Sequence, residues 1–313
     1  MKSINDEVLS AVRAGDPDTL VELDQQGLLI GPDESLDAYA NRLQTLTKNI
    51  HKLQEELRRH GRIEFLNTVL DAKDAIPLSI FRASQGTNRS LYDFEIDWVP
   101  GFYANYRMGF LFAGCAFYSY DDFFAVFVIR KAYKKRERWL IYKRSELMAH
   151  ELCHIAHIGF HATNFEELFA YQTSESGFRR MFGGMLRTTT DTYLLLGSVL
   201  LLLIAQIVNV FTREPPLWYT FPMPLFFGLT FLSILFICLR YRHYWKQFQR
   251  ARKQLAPVFG ADRALPVLFR CSEAEIRAIA GMKNADGLRD WLKSKPEASV
   301  RWRVILAKYA IQE

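Results

Sequence analysis

Cysteine is scarce in this chain. There are four, at positions 115, 153, 238 and 271, and no two share CxxC spacing. That excludes a disulfide framework and a structural zinc ribbon, and it fits a reducing compartment. Histidine is sparse too, with seven in 313 residues. The net charge is only +6, and many of the lysines and arginines crowd beside two apolar runs. No basic stripe is left over for a nucleic-acid partner, so none is expected. The opening residues, MKSINDEVLSAVRAGDPDTL, carry charge throughout and lack an apolar signal core, so no secretory leader is expected. Apolar side chains, by contrast, make up half of the chain, and 14% of it is aromatic. A sizeable core can form, which excludes global disorder.

Two of the few histidines fall in His150-Glu151-Leu152-Cys153-His154. In a helix, residues at i and i+4 leave the same face one turn apart. Both imidazoles can then reach one metal ion at about 2.0–2.1 Å. The intervening Glu151 lies beside the metal, where it can take a proton from water. The flanks favour a helix. Leu147, Met148, Leu152, Ile155 and Ile158 recur at helical spacing, Ser145 is a candidate N-cap and Gly159 a candidate stop. Cys153 points about 100° away from His154 and is not expected to ligate.

A zinc site needs a third protein ligand, with the fourth position left for water. Four residues compete: Glu166 and Glu167 in the segment Phe165–Tyr171, His161, and Glu275. Glu275 has a competing use, because Ser272 and Glu275 form an S-x-x-E capping box at a helix start. His157, one turn beyond His154, is either a group supporting the ligands or an ordinary solvated histidine. Tyr171 is either a supporting hydroxyl or packing.

Two further segments are long and apolar. Tyr193–Phe211 and Phe221–Leu239 each run about 19 residues, enough to cross a hydrocarbon core of ~30 Å. As helices, both satisfy their own backbone. The linker 212–220 is rich in proline and aromatics, as at an interface. Arg179, Arg180 and Arg187 precede the first run, and Arg240, Arg242, Lys246, Arg250, Arg252 and Lys253 follow the second. The asymmetry predicts an integral protein of the inner or plasma membrane, with both termini and the pentad on the cytoplasmic side. No 18-residue apolar run surrounds the pentad itself, which places it outside the lipid.

Elsewhere, Leu36, Tyr39, Leu43, Leu46, Ile50, Leu53 and Leu57 form a short heptad seam over 36–57. It reads equally as a homodimer coil or as a helix packed on its own domain. Strand signals fill Trp98–Tyr120, Phe123–Arg130 and Trp139–Tyr142, with Phe123–Arg130 the candidate edge strand. The divisions expected are a helical segment (1–61), a catalytic region (62–190), the hairpin (191–240) and a basic helical tail (241–313).

The strand pair, the pentad helix and the Glu167–Ala170 spacing resemble the glutamate-ligand zincins, the gluzincins, over about 60 residues. That resemblance implies an α+β, zincin-like catalytic domain. It implies His150, His154 and Glu167 as Zn2+ ligands and Glu151 as general base. It also implies an edge strand that binds substrate backbone in extended form. The expectation is a membrane-anchored zinc metalloprotease acting on protein or peptide substrates. The alternative is a catalytically silent membrane scaffold or sensor of the same fold.

Overall fold

The computed structural model describes residues 4–65, 68–104, 113–119, 124–160, 164–211, 222–309 and 311. The linker 212–220, part of the strand signal over 98–120, and His161 therefore lie wholly or partly outside the described residues. The chain is mostly helical with small sheets, an α+β arrangement. Helices α1 (Asp6–Ala14) and α2 (Pro17–Gln25) break where Gly15 takes φ 75°, with Asn5 and Asp16 capping their starts.

The long helix α3 (Leu36–His60) buries Tyr39, Leu43, Leu46, Ile50, Leu53 and Leu57 within the chain itself. Its upper half joins the main core, while Leu53 and Leu57 pack with Leu70, Phe102, Val126 and Val128. From Tyr39 to Leu57 the heptad seam packs against the chain's own strands and helices.

Strands β1 (Arg62–Phe65) and β2 (Thr68–Asp71) form an antiparallel pair. After helices α4 (Leu78–Ser84) and α5 (Gly86–Tyr92) comes a three-stranded sheet of β3 (Gly101–Ala104), β4 (Gly114–Ser119) and β5 (Phe124–Arg130). Its order is β3-β5-β4, with β3 parallel and β4 antiparallel to β5. The candidate edge strand Phe123–Arg130 therefore supplies the central strand, and β3 and β4 are the outer strands among the described residues. The reason is visible in the side chains. Ala125, Phe127 and Ile129 enter the main core on one face, while Val126 and Val128 enter the smaller cluster on the other. A strand covered on both faces reads as an unbroken apolar run, and that pattern marks a centre rather than an edge.

A tight hairpin, β6 (Arg138–Trp139) and β7 (Tyr142–Lys143), leads directly into α6 (Arg144–Ala156), the pentad helix. Ser145 does not cap it. The helix begins one residue earlier, and Glu137 takes up its first amides: its carbonyl accepts from Arg144 N at 2.8 Å and its Oε1 from Ser145 N at 3.2 Å. Nor is Gly159 the stop; it lies inside a 3-10 turn, Ile158–Phe160, beyond the helix end. Helices α7 (Glu166–Gln172) and α8 (Gly177–Phe182) follow.

Next come α9 (Thr189–Phe211) and α10 (Pro222–Phe259), the two helices long and apolar enough to span a membrane. They pack side by side, and Thr230 Oγ1 donates to the Ser198 carbonyl at 3.1 Å. Large apolar side chains such as Leu200, Ile207, Phe231 and Leu235 stand exposed around the pair, as lipid-facing positions do. At the base, Asp191 accepts from the Arg187 and Thr188 amides and pairs with Arg240. Helix α10 continues some twenty residues past the end of the apolar run and plunges into the core through Phe248, Ala251, Leu255, Val258 and Phe259.

Helices α11 (Ala261–Phe269), α12 (Glu273–Gly281), α13 (Ala285–Lys293), α14 (Lys295–Ala298) and α15 (Val300–Lys308) complete the chain. One hydrophobic cluster runs from Ile4 to Tyr309. The boundaries at 61 and 240 mark changes of composition, but the segments on either side share that core. Arg270, from the end of α11, fastens it. The side chain is 1% exposed, grips Asp24 of α2 with two nitrogens at 2.7–3.0 Å, and reaches the Tyr92 carbonyl at 2.8 Å. Lys308 donates to the same Asp24 carboxylate at 2.8 Å.

Candidate metal centre

Helix α6 is held by its apolar face. Met148, Leu152 and Ile155 are buried, and each such side chain contributes about 1.5–3 kcal/mol when fully removed from water. That face fixes the roll of the helix and turns His150, Glu151 and His154 the other way. Cys153 lies on the packed side, against the Asn88 amide at 3.6 Å and the Ala149 carbonyl at 3.3 Å, well away from the histidine pair.

Helix α7 is short and depends on an aromatic cluster for its place. Phe169 meets Phe248 of α10 at 5.1 Å, Phe269 of α11 at 5.2 Å and His157 at 5.5 Å between ring centroids. The Tyr92 hydroxyl donates to the Phe169 carbonyl at 2.5 Å. Three sequence-distant segments, α5, α10 and α11, thus set the height of α7 against α6, and with it the positions of Glu166 and Glu167.

The result is a convergent donor set. His150 Nε2 lies 3.3 Å from His154 Nε2. Glu167 Oε2 is 3.6 Å from the first nitrogen, and Oε1 is 3.6 Å from the second. One atom from each residue falls within 4.8 Å of the other two. Ligands about 2.0–2.1 Å from a tetrahedral ion stand roughly 3.3–3.5 Å apart, which is close to these spacings.

The outer ring nitrogen of His154 supports the same conclusion. His154 Nδ1 faces Glu166 Oε1 at 2.9 Å. With Nδ1 of His154 donating to that carboxylate, its Nε2 lone pair faces the His150 Nε2 at 3.3 Å, an arrangement that a cation between them would satisfy. The residues therefore fit a divalent metal bound by two imidazoles and a carboxylate.

Burial pushes the His150 ring down to about 3, with the neighbouring His154 adding to the effect. Burial pushes His154 down as well, but its bond to Glu166 and the charges of Glu167 and Glu166 outweigh that and raise it to about 9. Glu151 is raised to about 7 by burial, and Glu167 is raised for the same reason. A divalent cation among the donors would draw both carboxyls down again.

Glu151 sits at the sheet edge. Its Oε2 accepts from the Ala116 amide of β4 at 2.9 Å. Gly114, two residues earlier, permits the approach: a Cβ there would stand 2.7 Å from Ile129 and 3.0 Å from Leu147. Between β4 and α6 lies an open cavity of about 250 Å³ lined by Gly114, Tyr142, His150, Glu151, Tyr171 and Arg179.

The remaining sequence candidates sort clearly. Glu166 contacts the outer nitrogen of His154, as a supporting carboxylate would. Tyr171 packs edge-on against His150, with centroids 4.6 Å apart. His157 is not solvated. It is 3% exposed, stacks on Phe269 at 4.0 Å and bonds the Phe269 carbonyl through Nε2 at 2.7 Å, so it ties α6 to α11 and makes no hydrogen bond to the donor set. Glu275 is occupied by its capping box and by Arg301 at 2.8 Å and Trp302 at 2.6 Å.

Glu146 was not among the sequence candidates. It lies one turn before His150 on the cleft side, where its carboxylate accepts from Ser174, the Glu175 amide and Arg179. The i−4 spacing from His150 was the available signal. Because Glu166 orients His154, Glu166→Ala is expected to weaken zinc binding about 10–100-fold. Competition with a fluorescent chelator measures it, and unchanged affinity would remove Glu166 from that role.

The chain matches no protein-family model, no curated protein and no solved structure. The reading of the site accordingly rests on its donor geometry.

Proposed function

We propose that this chain is a membrane-anchored, zinc-dependent peptidase of gluzincin-like character. The observation that carries the reading is the convergence of His150, His154 and Glu167 beside a general base at a sheet edge. When bound, the metal supplies a Lewis acid that polarises a carbonyl and lowers the pKa of water toward about 7.

The chain's own residues supply the rest. Glu151 receives the proton of the attacking water and returns it to the leaving amine. The Ala116 amide holds one of its oxygens and so fixes the other. Edge strand β4 offers its outer backbone to an extended chain, since among the described strands only β5 pairs with it. Glu166 keeps the His154 imidazole turned inward, and Tyr171 packs edge-on against that of His150.

Helices α9 and α10 anchor the protein as a hairpin. The basic residues flanking both outer ends support a cytoplasmic site. Some of those cations also serve the fold: Arg179 pairs with Glu146, and Arg187 bonds the Asn164 carbonyl at 2.6 Å.

Metal removal tests the reading. Purified protein dialysed against a strong chelator is expected to lose cleavage of a mixed peptide library and to regain it with stoichiometric zinc. Its unfolding temperature should rise on re-addition, by linkage worth about 4 kcal/mol at a thousandfold excess over Kd. Turnover that survives full chelation, or protein that takes up no zinc, would defeat the proposal. Uptake of zinc without any turnover would favour the scaffold.

A further inference from the structure

A second cavity adjoins the metal cleft. It encloses about 380 Å³ and is lined by Tyr171, Phe178, Phe182, Leu186, Leu195 and Ile237, among others. Tyr171 belongs to both cavities, so one aromatic ring separates His150 from this second space.

Its walls come from two sources. Leu195 and Ile237 lie in the apolar stretches of α9 and α10, each within four residues of the Asp191–Arg240 pair at the base of the hairpin. The opposite wall is α8 and the turn after it. That short helix leaves Phe178 72% and Met181 50% exposed, with Arg179 and Arg180 between them. Bare aromatic and thioether side chains interleaved with arginines, next to a spanning hairpin, mark a segment lying at the boundary of headgroups and acyl chains. The cavity therefore opens where the hydrocarbon begins.

Building on the peptidase reading, we propose that the substrate is a membrane-anchored polypeptide cut close to its anchor. Apolar residues between anchor and scissile bond occupy the cavity under α8. Three observations support this occupant over a soluble peptide. The lining is apolar on every side named above. It is continuous with the lipid-facing surface of the hairpin. It shares one wall, Tyr171, with the metal cleft, so an extended chain can reach both spaces.

Two synthetic probes test it. Each carries a leucine-alanine span of about 20 residues, followed by an unstructured stretch of mixed sequence. They differ only in the four residues beside the span, leucine in one and asparagine in the other. Both are placed with the zinc-loaded protein in phosphatidylcholine nanodiscs, so local concentration is equal. The leucine probe is expected to be cleaved at least tenfold faster, and Leu186→Trp, which fills the cavity, is expected to bring the ratio close to one.

Binding is read separately on zinc-loaded Glu151→Gln protein. A photoreactive leucine in the probe should label Phe178, Phe182 or Leu186. Equal cleavage of both probes without labelling there overturns the substrate assignment and leaves the peptidase standing. Labelling there with no cleavage of either probe by the wild type keeps the pocket and overturns the peptidase. Absence of both overturns both.

Discussion

Glu151→Gln is expected to retain zinc and to lose peptide cleavage by about 10²–10⁴-fold, the usual contribution of a positioned acid–base group. Glutamine preserves the volume of the side chain, and its carbonyl can still accept from the Ala116 amide at the edge of the sheet. The fold is therefore spared while the proton acceptor is lost. Zinc content should hold at one equivalent because the three donors are His150, His154 and Glu167. His154→Ala supplies the contrast: it should lose both metal and turnover, since it removes a ligand and strands the Glu166 carboxylate. The measurement is metal content alongside library cleavage for the two variants. A glutamine variant that turns over at the wild-type rate would strip Glu151 of its role.

Arg270→Met is expected to destabilise the whole domain, by about 3–5 kcal/mol, because it leaves a buried carboxylate with reduced compensation. Arg270 joins Asp24 of α2 to the carbonyls of Tyr92 and Pro266, and Lys308 is the only other cation bonded to Asp24 among the described residues. Urea unfolding in detergent reads the change. Asp24→Asn in the same background should recover part of it, because the surplus charge is then gone.

The pH dependence has a definite sign. Burial alone would raise the Asp24 carboxyl, but Arg270 and Lys308 outweigh it and hold the group below its ordinary value of 3.8. A carboxyl depressed in the folded state contributes stability above its unfolded pKa and loses it as pH falls through the folded one. The wild type should accordingly weaken below about pH 4, and the methionine variant should show a shallower loss there. An Arg270→Met protein as stable as the wild type would show that the cluster is not a fastening at all.

The sequence was informative where chemistry imposes local spacing. His150 and His154 are one turn apart by construction, and Glu167 follows within a single short connection, so a local pattern sufficed. The apolar runs after residue 190 were equally plain, because long uncharged stretches are visible in the sequence itself. What stayed hidden is long-range. Nothing in the string announces that Phe248 and Phe269 hold α7 in place, or that Arg270 reaches back to Asp24 across the chain. The strand order is not legible because β5 is an unbroken apolar run from Phe124 to Ile129, and only the fold shows that both of its faces are covered. Neither sequence reading of His157, a group supporting the ligands or a solvated histidine, anticipates its burial, because polarity is a poor guide once a ring finds a stacking partner and a carbonyl.

The 38-residue helix α10 has a mechanical consequence. At about 1.5 Å per residue it is a rod of roughly 57 Å, one end among exposed apolar side chains and the other locked beneath α7 and α12. No loose tether intervenes between anchor and domain along that path. Under the proposed anchoring, the domain would be unable to swing like a weight on a string; it would stand over the bilayer at a set elevation and tilt, as a blade does in a fixed guide.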